Sequence, residues 1–379
     1  MAVISKDHRK KFCSPFKVFV VFVGVTSALL LGATLAFFPS SSSVALLSQH
    51  YSSTHGDTTI FDAPQKHVTT GIGTATTEEH KTTITTATRA PYDESNIVML
   101  SDNLDTAPQT IVTAYFQVKS KHPSDAYQKW MVNMLSLKDP MVIFLSPALI
   151  PEIKKLRSHA LNRTVMIPME VENTPMAQAY SASFWEHQLE IDPEKRIHRS
   201  YQVFWIWLSK SWWVTEAVKH NFFHSDIFVW SDMGCFRNGQ YNQQEMVQHP
   251  EQIPRNALLF LAHHMPNPPP ERIWNNKYDE KQNFFTSGSL FAGYGDTWLK
   301  FHRYFLETVQ TFLDRKMFIG EDQTVLQSTC MSHPDMCAYI PFTQLNRKDN
   351  HYFGLRYILV YGGEYELWWP PALPTDENN

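Results

Sequence analysis

The sequence predicts an α/β fold in which a doubly wound, mostly parallel sheet is flanked by helices and preceded by a single N-terminal transmembrane helix. Three observations predict it: an uncharged apolar run near the N-terminus, a Ser/Thr-rich segment after it, and strand-like runs that then alternate with helical spacings. Of 379 residues, 43% are hydrophobic and 13% aromatic, so a substantial core can be buried. A net charge of −4, without a long basic tract beyond the N-terminus, gives no indication of nucleic-acid binding.

The apolar run Val18–Phe38 is the predicted transmembrane signal-anchor. At about 1.5 Å per residue, it is long enough to cross a hydrocarbon core of roughly 30 Å. Five Lys or Arg residues precede the run and none follows before Lys66. The positive-inside rule therefore makes residues 1–17 a cytosolic tail and predicts a type II protein with a lumenal C-terminal domain. The rather short span suits the thinner membranes of the early secretory pathway, so the Golgi or ER membrane is the expected location. The alternative is a cleaved signal peptide, whose apolar region is usually shorter.

Residues 39–105 are predicted to form a stem, and residues 106–379 the lumenal domain. The stem prediction rests on a composition rich in Ser and Thr and poor in apolar residues, which cannot bury enough surface to fold. Golgi enzymes and surface adhesion proteins share this layout. The layout alone therefore does not distinguish the two.

The lumenal domain opens with alternating strands and helices. The predicted strands are Thr110–Phe116, Met141–Leu145 and Thr164–Pro168, and the predicted helices are Ser124–Leu137, with Ser124 as candidate cap, Ile150–His159 and the aromatic Tyr201–Lys219. A β-α-β-α-β opening is typical of the nucleotide-binding half of a doubly wound fold. Lys210, in the middle of the aromatic helix, needs an anionic partner or a route to solvent.

Asp232 follows the apolar strand Ile227–Trp230 after one serine and precedes Gly234 and Arg237. Ligands of open α/β sheets bind at the carboxyl ends of strands. A carboxylate there can hold a divalent cation, and a guanidinium can contact phosphate. The alternative is that Asp232 only caps a turn.

Two later segments carry further candidates. Residues 284–293 combine a Ser-Gly turn with an apolar strand, and residues 319–326 place adjacent acids before a helix. An acid at a helix N-terminus is ordinarily a cap, but it can also be exposed at the rim of a pocket.

The succession of TAYF, a Trp-containing helix, IWLSK, FVWSDMGCFR, SG and GEDQ resembles the HtrL/YibB family, over about Gln109 to Trp369. That family is grouped with GT-A-type glycosyltransferases. The resemblance implies a GT-A-like fold, a nucleotide-sugar donor, a glycan, glycoprotein or glycolipid acceptor, and a divalent cation, Mn²⁺ or Mg²⁺. A homodimer is an expectation of the same kind.

Residue roles follow from the resemblance. It implies Asp232 as a metal ligand together with His351. The usual Asp-x-Asp motif is reduced to one acid, because Trp230 and Gly234 flank it at that spacing. The implied catalytic carboxylates are Asp322 and Glu321. The implied substrate-binding residues are Thr113, Tyr115, Lys210, Arg237, Ser287, Gly288 and Gln323.

Cysteines and one sequon complete the candidates. In an oxidising lumen Cys330 and Cys337 could close a short loop, and the alternative is reduced, packed thiols. Asn162 begins the one N-glycosylation sequon. His263-His264 and the prolines after them are interpreted as a loop rather than a metal site.

Two other functions are considered beside a glycosyltransferase. A GT-A-like protein that binds a glycan or a partner without turnover would fit the missing second acid. A glycoside hydrolase would need two facing carboxylates, for which the sequence offers no positional support.

Overall fold

The computed structural model describes residues 91–195, 197–265, 269, 271–274, 286–345 and 353–373. Within these ranges lie eight strands, in the order β1 Val98–Met99, β2 Gln109–Tyr115, β3 Met141–Leu145, β4 Thr164–Pro168, β5 Ile227–Ser231, β6 Leu258–Ala262, β7 Leu290–Tyr294 and β8 Cys337–Pro341. The same ranges contain nine α-helices, α1 Ser124–Leu135, α2 Ile150–Leu156, α3 Pro175–Ala179, α4 Ala182–Ile191, α5 Gln202–Leu208, α6 Lys210–His220, α7 Gly295–Asp314, α8 Asp322–Ser332 and α9 Leu355–Tyr361.

The strands form one mixed sheet in the order β1-β4-β3-β2-β5-β7-β6-β8. Pairs β2–β3, β3–β4, β2–β5 and β6–β8 are parallel, whereas β1 and β7 run against their neighbours. The sheet is therefore mostly parallel, and helices cover both faces. This confirms the predicted α/β class.

Two hydrophobic layers cover the sheet. One joins α1, α2 and α9 to side chains such as Ile111 and Val229. The other joins α3 to α8 to the alternate side chains, such as Val112 and Trp230. Because successive strand residues point to opposite faces, a strand buried on both faces reads as a continuous apolar run. Met141–Leu145 is such a run, and all five of its residues are buried.

The predicted aromatic helix is two helices. The helix is interrupted at Ser209, between α5 and α6, where the backbone torsions are φ −90° and ψ −1°. Lys210 therefore begins α6 instead of lying mid-helix, and this places its side chain at one end of the sheet. The candidate cap of α1 is also wrong: Pro123 is the N-cap, Ser124 is the first helical residue, and no side chain caps the helix.

The predicted stem ends earlier than residue 105. Strand β1 pairs with β4 through Val98 and Met166, and Tyr92 is buried with its hydroxyl donating to Glu216 at 3.1 Å. Apolar residues after Pro91 give this part of the chain a surface that packs on the sheet.

The predicted anchor Val18–Phe38 and the rest of the stem lie outside the described residues. Among the described helices, none is both long enough and apolar enough to cross a membrane.

Candidate functional site

The site lies at the carboxyl ends of β2 and β5. From β2 the chain crosses through α1 to β3 on one side, whereas β5 pairs with β2 on the other side. This reversal of strand order is a topological switch point, and ligands of open α/β sheets bind in the crevice outside it. Asp232 directly follows β5 and therefore lies at that crevice.

Lys210 joins the charged groups of the site. Its ammonium Nζ lies 3.0 Å from Asp232 Oδ1 and 2.5 Å from Asp322 Oδ2. It also donates a 2.8 Å hydrogen bond to the carbonyl oxygen of Gly288. The Lys210 and Asp322 side chains are 4% and 6% exposed, whereas the Asp232 side chain is 32% exposed. One carboxylate is therefore held inside the protein and the other faces the crevice.

The two carboxylates differ in how they are held. Asp232 Oδ1 accepts a 2.8 Å hydrogen bond from the indole Nε1 of Trp230, and the Asp232 amide donates to the carbonyl of Ser289 at 2.8 Å. The Asp322 Oδ2 contact with Lys210 is an ion pair that does not meet hydrogen-bond geometry. Asp232 is thus fixed by a neutral donor as well as by the ammonium.

Burial and charge shift the pKa values in this group. Burial lowers the pKa of Lys210, but Asp232 and Asp322 raise it more, so the net pKa lies above its ordinary value. Burial raises the pKa of the Asp322 carboxyl, and Lys210 opposes that rise only in part. The ammonium is therefore firmly charged.

Gly288 is required by the approach of Asp322. A Cβ on Gly288 would lie 2.7 Å from Asp322 Oδ2, closer than van der Waals contact allows. Ser287 is buried, with its amide donating to the Leu261 carbonyl at 3.0 Å and its hydroxyl 3.1 Å from that of Ser289. In this structure Gly288 thus contacts Lys210 and Asp322, whereas Ser287 bonds to the neighbouring strand segment and not to these charged side chains.

Arg237 lies on an aromatic surface beside the site. Its exposed side chain places the guanidinium carbon 4.4 Å from the centre of the Trp130 ring and 4.8 Å from that of Phe353. The Trp130 ring packs edge-on against Tyr127 at 5.2 Å and against His122 at 5.0 Å. Burial lowers the pKa of Arg237. The guanidinium of Arg237, which is predicted to contact phosphate, is therefore accessible to a ligand.

The first strand differs from its predicted role. Thr113 is fully buried, and its hydroxyl has no hydrogen-bond partner among the residues that the structure describes. Tyr115 is 8% exposed and lies 6.2 Å from the Tyr127 ring. Thr113 is therefore not accessible to a substrate in this structure, because β2 is covered on both faces at that position.

Gln323 and Glu321 flank Asp322 at the start of α8. Gln323 Nε2 donates to the Thr286 carbonyl at 2.6 Å, so it ties α8 to the segment before β7. Glu321 is the N-cap residue but makes no side-chain capping bond. Burial, then Asp322 and Glu194, raise its pKa well above the ordinary value.

A second titratable group was missed at the sequence level. Glu194, His198 and Glu321 each point one ligand atom into the same space, all within 4.8 Å of one another. Such a group could hold a metal ion. The i, i+4 spacing of Glu194 and His198 was the only hint in the sequence. These two residues lie between helices, and Glu321 is 123 residues further along the chain than His198, so the sequence does not connect the three.

The surroundings of Asp232 do not fit the implied divalent cation. The Lys210 ammonium already pairs with Asp232, the carboxylate that such an ion would use, and with Asp322 beside it. A dication there would bring like charges into contact. The other implied ligand, His351, lies outside the described residues.

The sequon and the cysteines have defined surroundings. Asn162 is exposed and donates to Asp105 at 2.5 Å, so the residue is accessible at the surface. Cys330 and Cys337 form a disulfide. Cys235 is fully buried.

The fold and the site define a mixed α/β protein with a buried Lys–carboxylate group at its topological switch point. The sequence matches the family described as "Bacterial protein of unknown function (HtrL_YibB)" over residues 107–343, and the chain belongs to that family. No curated protein matches it. Among solved structures it is similar to mouse xyloside xylosyltransferase 1 in its apo form, with 12% identity, a TM-score of 0.34, and coverage of 60% of this chain and 83% of that one. A likeness this low carries no weight for activity.

Proposed function

We propose that this protein is a glycosyltransferase that moves a sugar from a nucleotide-sugar donor to a glycan, protein or lipid acceptor, on a GT-A-like fold. The observation that carries the proposal is the convergence of Asp232, Asp322 and Lys210 at the carboxyl end of β5. The switch-point crevice is where nucleotides bind in doubly wound folds. Charged groups placed there suit transfer of a group that leaves as a diphosphate.

Arg237 is the proposed contact to the donor diphosphate. It is exposed, and its planar guanidinium can donate two parallel hydrogen bonds to phosphate. The neighbouring rings of His122, Tyr127 and Trp130 offer a stacking surface for a nucleobase. Lys210 is less suited to the phosphate, because its charge is already shared by two carboxylates.

Asp232 is the proposed general base. Deprotonation of an acceptor hydroxyl requires a carboxylate within hydrogen-bond reach of it. At 32% exposure Asp232 can meet a hydroxyl, whereas Asp322 at 6% exposure is a positioning residue that holds Lys210. The proposal thus moves the catalytic role from Asp322, where the family resemblance implies it, to Asp232, which was the implied metal ligand.

Nucleotide binding tests the proposal. Titration of the full-length chain with UDP, GDP and CMP, followed by thermal unfolding, should raise the unfolding temperature with one of them. Arg237→Met should weaken that binding about 10- to 100-fold, since a charge-assisted hydrogen bond contributes roughly 1.5–3 kcal/mol.

Arg303→Met is the matched control. Arg303 is also exposed and stacked on an aromatic ring, with its guanidinium carbon 5.3 Å from the Tyr304 ring centre. Binding should be unchanged in this variant. Absence of any nucleotide-dependent shift, or equal losses in the two variants, would refute the donor site.

A binding protein without turnover is the second candidate. It is favoured by one observation, that a single ammonium occupies the space between the two carboxylates. Nucleotide binding without hydrolysis of a nucleotide sugar or its transfer to any acceptor, in wild type and in Asp232→Asn alike, would favour it over the enzyme.

The proposed location is the Golgi or ER membrane, with the C-terminal domain in the lumen and a homodimer as the expected assembly. The support is the apolar run, which five basic residues precede and none follows before Lys66. Protease treatment of sealed microsomes should leave the C-terminal domain intact, and its digestion would contradict this topology.

A further inference from the structure

A buried cluster lies between the α4–α5 connection and the start of α8. Asp192, Glu194 and His198 belong to the connection, and Glu321 directly precedes α8. None of the three connection residues has a role in the proposed transfer reaction. The cluster therefore needs an explanation of its own.

Asp192 fixes the ring of His198. Asp192 Oδ2 accepts from His198 Nδ1 at 2.6 Å, and its Oδ1 accepts from the Glu194 amide at 2.7 Å. The His198 and Asp192 side chains are 2% and 0% exposed. The His198 ring also packs edge-on against Trp207 at 5.0 Å. With Nδ1 as the donor, Nε2 is left as an acceptor that points at Glu194, whose Oε2 lies 3.5 Å away.

Glu321 completes the cluster from the other side. It is 7% exposed, and no described residue donates a hydrogen bond to its carboxylate or forms an ion pair with it. Its ligand oxygen lies within 4.8 Å of those of Glu194 and His198. A buried carboxylate without a partner is costly unless it is protonated or a cation reaches it.

Protonation of His198 does not balance this group. With Asp192, Glu194 and Glu321 all ionised, one imidazolium would leave two negative charges uncompensated. Burial raises the pKa of Glu321, so without a cation this carboxyl takes up a proton instead. Lys121 is exposed and contributes only a Coulombic interaction with Glu321. A divalent cation would supply the missing charge.

We propose that Glu194, His198 and Glu321 bind a divalent cation, with Asp192 as the residue that orients His198. One imidazole nitrogen and carboxylate oxygens suit Mn²⁺ or Zn²⁺ rather than Mg²⁺ or Ca²⁺, which prefer oxygen alone. A carboxylate that accepts the other ring N–H is the usual outer-shell partner of a metal-binding histidine. Donors around a metal at about 2.1 Å are at most roughly 4.2 Å apart, so small side-chain rotations would close the site.

The cation would tie the α4–α5 connection to the first turn of α8. Asp322, which pairs with Lys210, is the next residue after the ligand Glu321. Metal binding would thus position one carboxylate of the switch-point site. The assignment makes Glu321 a metal ligand rather than a catalytic acid. It does not depend on the proposed binding of a nucleotide-sugar donor.

Mn²⁺ binding to the full-length chain, purified and stripped with a chelator, tests the assignment. Electron paramagnetic resonance should show one bound Mn²⁺ per chain, with coupling to an imidazole ¹⁴N. Zn²⁺ should displace the Mn²⁺, whereas the same concentration of Mg²⁺ or Ca²⁺ should not. Asp192→Asn should weaken Mn²⁺ binding about 10- to 100-fold, and His198→Ala at least as much with loss of the ¹⁴N coupling.

His187→Ala is the matched control. His187 lies on α4, 3.7 Å from Glu190, and its side chain is 62% exposed, so Mn²⁺ binding should not change. If His198→Ala fails to fold, Glu194→Gln replaces it, because the Glu194 side chain is 26% exposed and tolerates loss of its charge. Absence of bound Mn²⁺, or unchanged affinity in these site variants, would overturn the proposal. Nucleotide binding is measured separately, so its outcome does not affect this test.

Discussion

Replacement of Lys210 by Met isolates the contribution of the buried ion pair. The substitution keeps most of the side-chain volume but removes the ammonium that contacts Asp322 at 2.5 Å. Asp322 is only 6% exposed, so its carboxylate would remain buried without a counter-ion. Breaking a buried pair from one side costs about 3–5 kcal/mol. We expect the free energy of unfolding to fall by that amount.

Urea unfolding followed by tryptophan fluorescence measures this change, with the free energy obtained from the midpoint and slope. Lys300→Met is the control, because the Lys300 and Asp335 side chains are 45% and 73% exposed and their charged atoms lie 3.6 Å apart. An exposed pair of this kind contributes about 1 kcal/mol or less. The double variant Lys210→Met/Asp322→Asn should recover roughly 2 kcal/mol, since the remaining partner of Lys210, Asp232, is 32% exposed and no buried carboxylate is left without a counter-ion.

Equal losses in Lys210→Met and Lys300→Met would refute this reasoning. It would also fail if the effects of Lys210→Met and Asp322→Asn were simply additive, because additivity means that the two groups do not interact.

Three further predictions concern stability. Gly288→Ala should lower the free energy of unfolding by about 1–3 kcal/mol, because the new Cβ would lie 2.7 Å from Asp322 Oδ2. Reduction of the Cys330–Cys337 disulfide, which closes a loop with a sequence separation of 7, should cost about 2–3 kcal/mol in urea unfolding. Burial lowers the pKa of His302 to about 4, so stability should fall as pH drops from about 6.5 to about 4, by about 2 kcal/mol for this half-buried ring. His302→Gln should reduce this loss of unfolding free energy between pH 6.5 and pH 4.

Each of these has a control. Gly239→Ala should be nearly neutral, because its Cβ would meet the flexible Asn242 side chain at 3.1 Å. Reductant should not change the stability of the double variant Cys330→Ala/Cys337→Ala. If the unfolding free energies of wild type and His302→Gln fell in parallel between pH 6.5 and pH 4, the His302 imidazole would not be the cause of the loss of stability in acid.

Much of the sheet was predictable from local pattern. Strands Met141–Leu145 and Thr164–Pro168 have their predicted bounds, because short apolar runs that end at a turn or a proline leave little choice of register. The position of Asp232 at the end of a strand was likewise visible from the apolar run before it. These features depend only on neighbours along the chain.

Other features were not predictable in this way. Nothing in the aromatic run 201–219 marks Ser209 as the point where two helices meet, since that break depends on packing against the sheet. Burial of Thr113 on a covered face also depends on neighbouring elements.

The sequence by itself determined the α/β class, the main strands, the membership of the family and the need of Lys210 for an anionic partner. Only the tertiary structure decided that this partner is a pair, Asp232 and Asp322, which are 90 residues apart along the chain. The tertiary structure also decided that His198, between α4 and α5, lies close to Glu321, directly before α8. Hydrophobic periodicity records which side faces the core, whereas the meeting of distant charges depends on where each strand and helix ends in space.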